Sequence, residues 1–388
     1  MERSYEVIIV GAGPAGSMLA YELSRTGTSV LLIEKQTLPR YKCCAGGIMA
    51  RSAKLLPIDI NTLAEDVVRG IDVNYKGECR YSGYCDKELV YTVMRDKFDY
   101  ALTRKAEEAG TRVLSGQPVT HLHGGATGVE VCIPAGVFRS QFLVGADGVY
   151  SVVARQTGLN HNVTYIAGIN ADIEVDEQEL LGRRNRILVD VGCISSGYAW
   201  VFPKAGHLSV GIGCTGSRAK TLKRSYRDLL DSLNLGHYKV IRSGGGLIPS
   251  CAGKPTLSNG RIALIGDAAG LADPLSGDGM GNAILSAMLA APVIKDCLAQ
   301  GKANLIDYQQ AVIENIVPNI KLARLLQRIF ICFPDIFIKL LNMDPRIWRG
   351  CCYMLCGELD YVIAKQKIGG YKGIGALIFK ALANAKLA

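Results

Sequence analysis

The stretch YEVIIVGAGPAGSMLAYELSRTGTSVLLIEK, residues 5–35, constrains this chain more than any other. Val7 to Val10 are a short apolar run, as expected of a strand buried on both faces. Gly11, Gly13 and Gly16 follow in GxGxxG order. The first allows a tight turn, the second lets backbone approach a pyrophosphate, and the third lets the next helix pack close to the strand. A helix from Pro14 to Arg25 would then aim its positive end at that pyrophosphate. A second strand, Val30 to Ile33, ends at Glu34, whose carboxylate is placed to accept from a ribose 2′-OH and to repel a 2′-phosphate. The reading is a dinucleotide cofactor other than NADP.

Two later segments distinguish NAD from FAD. LVGADGVYSVVAR, residues 143–155, is an apolar strand ending in Gly145-Ala146-Asp147-Gly148. RIALIGDAAGLADPLSGDGMGNAI, residues 261–284, contains the strand Ile262 to Ile265, ends it at Gly266-Asp267, and opens a helix at Gly277 to Gly281. A carboxylate at a strand end can hold a polyol hydroxyl. A glycine-rich helix start lets a flat ring approach bare N–H groups. Both match an extended FAD, with adenine near Glu34 and isoalloxazine near Gly279.

Together the GxGxxG, DG and GD segments resemble the flavoproteins of the p-hydroxybenzoate hydroxylase type. Within them, YAWVFPKAGHLSVG, residues 198–211, has the YxWxFPx7G pattern and resembles the signature of the geranylgeranyl reductase family. The CCAGG run after Arg40 and the RxxFD at Arg95 to Asp99 are similar to that family too, and the likeness runs from residue 5 to about 290. It implies FAD contacts at Ala15, Glu34, Arg95, Asp267, Gly279 and Met280, in the turn Cys44-Ala45-Gly46-Gly47, and at the backbone near Val119. Arg95 also reads as an ordinary surface residue at the start of the amphipathic helix MRDKFDYALTRKAEEAG. Cys43 precedes the usual single cysteine, and Ala45 stands where glycine is common, so the resemblance leaves open which atoms of the turn face the flavin.

In a strand, Tyr198, Trp200 and Phe202 share one face. Such a wall can pack a core or line a greasy site. Gly211 and Gly213 on the return strand are expected to leave space opposite it, and the resemblance makes Tyr198, Trp200, Phe202 and Gly211 the lining of a long polyprenyl cavity.

The expected fold is α/β: a Rossmann-like FAD-binding domain with an inserted antiparallel β-sheet substrate domain and a helical C-terminal region. Residues 1–70, 91–160 and 250–300 are assigned to the first, 71–90 and 161–249 to the second, and 301–388 to the third. Strands are expected near Tyr165 to Val175, Arg186 to Val191, Gly197 to Phe202 and His207 to Gly213, then a helix from Ala219 to Leu233.

Composition is ordinary for a folded protein, with 49% apolar and 20% charged residues. The net charge of +9 is uneven: Lys365, Lys367, Lys372, Lys380 and Lys386 follow Asp360 with no acid among them. Ile374 to Leu382 fit a basic amphipathic helix suited to an anionic membrane surface or an acidic ferredoxin. Thirteen cysteines without a signal peptide point to a reducing cytoplasm and buried thiols, with a tail disulfide as an alternative. No CxxC…CxxC spacing is present and no metal is expected. No segment reads as a membrane span, since the apolar region Leu322 to Leu341 is interrupted by charges and Pro334.

The resemblance therefore implies an FAD-dependent reductase of isolated C=C bonds on geranylgeranyl chains. Its electrons would come from NADPH or ferredoxin, with peripheral membrane contact and no nucleic acid. Cys44 and Tyr198 are the catalytic candidates for proton delivery. A flavin monooxygenase acting on an aromatic or quinone, and a flavin electron carrier, are the alternatives.

Overall fold

The computed structural model describes residues 3–125, 127–160 and 162–369. The tail lysines Lys372, Lys380 and Lys386, and the helix expected from Ile374 to Leu382, lie outside the described residues.

Three sheets organise the described chain. The first has Ser4–Val10 at its centre, with Val30–Ile33 parallel on one side and Gly136–Gly145 parallel on the other. Arg112–Leu114 and Ile262–Leu264 extend it outward, again parallel. These central strands are apolar on both faces because helices cover both. Pro14–Ser24 packs against Gly279–Gln300 and Arg95–Glu108. Ile8, Leu19, Leu32, Phe142 and Ile284 are fully enclosed in the resulting core.

Gly279–Gln300 is long and apolar enough to cross a membrane by length and composition, which the sequence reading did not anticipate. Its Ala283, Ile284, Ala287 and Ala290 are nonetheless buried in this core.

The second sheet runs Lys239–Cys251, Val163–Glu174, Leu208–Thr215, Gly197–Pro203, Arg186–Val191, Gly70–Tyr75 and Glu78–Tyr84. Its pairings are antiparallel, except that Arg186–Val191 lies parallel to Gly70–Tyr75. Along Gly197–Pro203 burial alternates strictly. Ala199 and Val201 point into a core shared with Leu229 of the helix Leu222–Ser232, so the three aromatics must take the other face. A small third sheet joins Gly47–Met49, Val90–Val93 and Ala64–Val68.

The helices from Ile306 to Gly369 close the opposite side. Trp348 anchors them. Its indole N–H donates to the Tyr84 carbonyl at 2.8 Å, its ring lies 5.7 Å from that of Tyr81, and a Cβ on Gly83 would sit 2.6 Å from it. All thirteen cysteines are free thiols, so the tail disulfide is not formed.

Candidate functional site

The register of the first sheet aligns its strand ends. Val10 pairs with both Ile33 and Gly145, and Gly145 with Leu264. Gly11, Glu34, Ala146 and Gly266-Asp267 therefore meet at one carboxyl edge, the usual place for a ligand at a switch point in strand order. Gly11 has φ +104°, and a Cβ there would lie 2.4 Å from the Ala146 carbonyl oxygen. A Cβ on Gly16 would lie 1.9 Å from the Gly11 oxygen, so Gly16 serves close packing and does not line the cavity. A Cβ on Gly13 would meet only the Arg40 guanidinium, at 3.7 Å, so the backbone here is open to a ligand.

Glu34 is buried, accepts from the backbone N–H of Ala12 at 2.9 Å and Gln36 at 3.1 Å, and pairs with Arg40 at 3.4 Å. Arg40 and Arg95 share Asp99, at 3.0 Å and 2.8 Å. Burial weighs against the charge on Arg95, but Asp99 more than offsets it and the guanidinium is held firmly protonated. Arg95 is thus buried at the cavity wall and is not an exposed helix-start residue. Arg40 carries no motif of its own; only the fold brings it to Glu34 and Asp99.

The two strand-end carboxylates part company. Asp147 borders the cavity but is already engaged, accepting from the hydroxyl of Ser151, the N-cap of the short helix Val152–Thr157, at 2.5 Å and from the Val152 N–H at 2.6 Å. Asp267 lines the cavity, and its carboxylate accepts no hydrogen bond from a described residue. Burial pushes its carboxyl up, against the opposing influence of Lys42 and Arg95. A half-buried carboxylate on the cavity wall with no donor among the described residues is open to a ligand hydroxyl. Beside it, Gly277 to Met280 open the helix Gly279–Gln300 toward the same space, with Asp278 accepting from the Gly281 N–H at 2.7 Å. Val119 and Ala15 border it as well. An open glycine turn, a carboxylate without a donor among the described residues and a glycine-rich helix start on one continuous cavity suit an extended flavin dinucleotide.

The turn after Arg40 sorts its two cysteines. Cys43 packs on the second sheet, where a Cβ on Gly244 would come within 3.1 Å of its sulfur, and burial pushes its thiol up. Cys44 faces Arg95, and its sulfur accepts from the Gly46 N–H at 3.3 Å. Gly46 has φ +69° and touches the Val93 carbonyl; a Cβ on Gly47 would lie 2.6 Å from the Phe202 ring. Lys204, just past Phe202, is buried and donates to the carbonyls of Ala45 at 2.7 Å and Val93 at 2.9 Å. Neither Lys204 nor Arg40 was singled out by sequence; a lone lysine after FP has no spacing that marks it as internal.

Cys44 to Gly47, Tyr198, Trp200 and Phe202 all line one cavity of about 1450 Å³, shared with the flavin edge. That exceeds the ~300–1,000 Å³ of one small-molecule pocket and leaves room for two ligands. Its far end is apolar and built by Leu326, Phe330, Phe337, Trp348 and Met354, helices that sequence had assigned no part in the site. Tyr198 stacks edge-on with Trp200 at 5.9 Å and with Phe330 at 6.4 Å, joining sheet to helices. Burial, with Asp273 nearby, pushes its phenol up.

One expectation is corrected. Gly211 and Gly213 leave no gap, because the Trp200 indole lies on them; a Cβ on Gly211 would fall 2.3 Å from the ring. Gly211 supports the wall from behind and does not line the cavity.

The FAD binding domain family matches residues 4–186. The digeranylgeranylglycerophospholipid reductase of Methanoculleus marisnigri is 31% identical over 78% of this chain and 79% of its own. The chain belongs to the digeranylgeranylglycerophospholipid reductase family. Like the family, it is an FAD flavoprotein oxidoreductase, and Gly11, Gly13, Glu34, Arg40, Asp267 and Gly279 line its cavity. A geranylgeranyl bacteriochlorophyll reductase-like protein from Thermoplasma acidophilum has the same fold, with TM-score 0.79 at 22% identity over 99% of this reductase-family chain and 96% of that one. A flavin-dependent brominase shares it too, at TM-score 0.78 and 21% identity over 99% of both chains.

Proposed function

We propose that this protein saturates isolated C=C bonds of geranylgeranyl chains on isoprenoid ether lipids or geranylgeranyl diphosphate. The observation that carries the reading is the single cavity running from the Asp267 edge, past the Cys44 turn and the Tyr198–Trp200–Phe202 wall, into an apolar tunnel of C-terminal helices. A simple phenol would need no such tunnel. Electrons come from NADPH or ferredoxin, and the protein works in the cytoplasm at an anionic membrane that the tail lysines favour.

Reduced FAD, when bound, supplies a hydride. An isolated trisubstituted alkene has no carbonyl to take up charge, so a proton must reach the less substituted carbon while the tertiary carbon takes the hydride. Cys44 is the proposed proton donor, because it lies on the turn between the flavin edge and the aromatic wall. Tyr198 is the second candidate, held protonated by burial. The aromatic wall and tunnel exclude water and hold the chain extended.

The test is mass spectrometry of lipids from cells making the protein beside an unsaturated ether-lipid pathway, with Cys44→Ser in parallel. Saturated chains with wild type, and a loss of turnover on the order of 10²-fold or more in Cys44→Ser with flavin retained, are expected. Oxygen consumption stoichiometric with substrate would point instead to a monooxygenase.

A further inference from the structure

Lys204 is 1% exposed. Lysines are almost never this enclosed without a carboxylate partner. Yet its hydrogen bonds run to two backbone carbonyls, Ala45 on the flavin turn and Val93 on the strand before Arg95. A neutral amine has two N–H groups to give, and an ammonium has three. Two carbonyls therefore satisfy the amine and leave one proton of the ammonium uncommitted. Gly46 lets that nitrogen lie against the turn: a Cβ there would come within 2.9 Å of Nζ.

The charged and titratable groups facing Lys204 come from four elements. They are Cys44 on the turn, Glu65 on Ala64–Val68, Asp172 on Val163–Glu174 and Arg242 on Lys239–Cys251. Burial pulls the Lys204 ammonium down to about 8. Among groups acting the other way Cys44 is the strongest, ahead of Asp172 and Glu65, while Arg242 opposes them. So the amine and ammonium forms are both accessible near neutral pH, next to the thiol that the proposed reaction empties.

We propose that Lys204 is a positioning residue for the proton step, fixing the Cys44 turn through its two carbonyl bonds and returning a proton to Cys44. This rests on the reading of Cys44 as proton donor. In each turnover the Cys44 S–H bond breaks as a C–H bond forms at the less substituted carbon. The thiolate then takes a proton from the Lys204 ammonium, re-forming S–H. The amine then recovers its proton from solvent. No electrons beyond the hydride are moved.

The first arm of the test, alkylation, needs no prenyl substrate; the second reads turnover. FAD-loaded, oxidised protein is alkylated with iodoacetamide between pH 6 and 9, and the Cys44 peptide is followed by mass. Loss of the neighbouring cation in Lys204→Met should slow Cys44 alkylation about tenfold near pH 7.5, because no positive charge at that site then favours the attacking anion. Lys204→Arg keeps the charge but cannot give up a proton. It should alkylate at close to the wild-type rate, yet lose the alkaline limb near pH 8 from its turnover profile.

Unchanged alkylation in Lys204→Met refutes the pair and leaves the reductase reading standing. A wild-type pH–turnover profile in Lys204→Arg refutes the proton return. Slowed alkylation in Lys204→Met, together with a wild type that saturates no alkene, supports the pair and refutes the reductase reading alone. Should Lys204→Met lose its flavin, the wild type alone decides. A break near pH 8 at Cys44 that exposed Cys79 lacks supports the pair, and its absence overturns it.

Discussion

The indole N–H of Trp200 donates to the side-chain carbonyl of Asn170 at 2.9 Å, and this bond holds the ring flat across Gly211 and Gly213 of the return strand. Asn170 is itself buried and donates to the Ser209 hydroxyl at 2.9 Å, so the indole is fixed by a satisfied polar network.

Gly211→Ala should therefore disturb the wall from behind. The added methyl must displace a ring lying 2.3 Å from its ideal position, which breaks the Asn170 bond. Overpacking of this kind costs about 1–3 kcal/mol. A lower unfolding midpoint and changed tryptophan emission are expected. In a Trp200→Leu background the same change should cost far less, since the clashing ring is gone. Equal costs in both backgrounds would show that the indole does not rest on Gly211.

Asp267 and Asp147 should differ in how much stability they carry. Asp267→Ala removes a half-buried cavity carboxylate with no described side-chain donor, so flavin absorbance per protein should fall sharply with little change in unfolding midpoint. Asp147→Ala strips the acceptor from Ser151 and the Val152 N–H, and should in addition lower stability by about 1 kcal/mol. Equal flavin content in wild type and Asp267→Ala would remove Asp267 from the site.

Acid stability should depend on Asp172. Burial alone would push this carboxyl up, but His207 and Arg242 together hold it at about 2. Arg242 pairs with it at 2.6 Å and ties Lys239–Cys251 to Val163–Glu174. A depressed carboxyl contributes its stability above the unfolded value of about 3.9 and loses it as pH falls toward 2, on the order of 2 kcal/mol in all. Urea midpoints of wild type and Asp172→Asn should differ at pH 6, approach one another below pH 4, and meet near pH 2. A gap that stays constant over that range would assign the effect to packing.

What the sequence determined by itself is local or strictly periodic. Gly11, Gly13 and Gly16 between two apolar runs dictate a strand, turn and helix, because each needs only neighbours a few residues away. The alternation of Tyr198, Trp200 and Phe202 dictates a shared face, because side chains on a strand repeat every two residues. The tertiary structure alone decided what depends on distant partners. Lys239–Cys251 contains Gly244, Gly245 and Gly246 and carries no strand signal; it is a strand because Val163–Glu174 pairs along its length. Asp147 and Asp267 end similar strands and both border the cavity, yet only Asp147 also finds donors at a helix N-terminus. Lys204 and Arg40 belong to no motif. Their burial follows from how a turn, two sheets and the C-terminal helices close on one another, and packing between segments a hundred residues apart leaves no period in the chain.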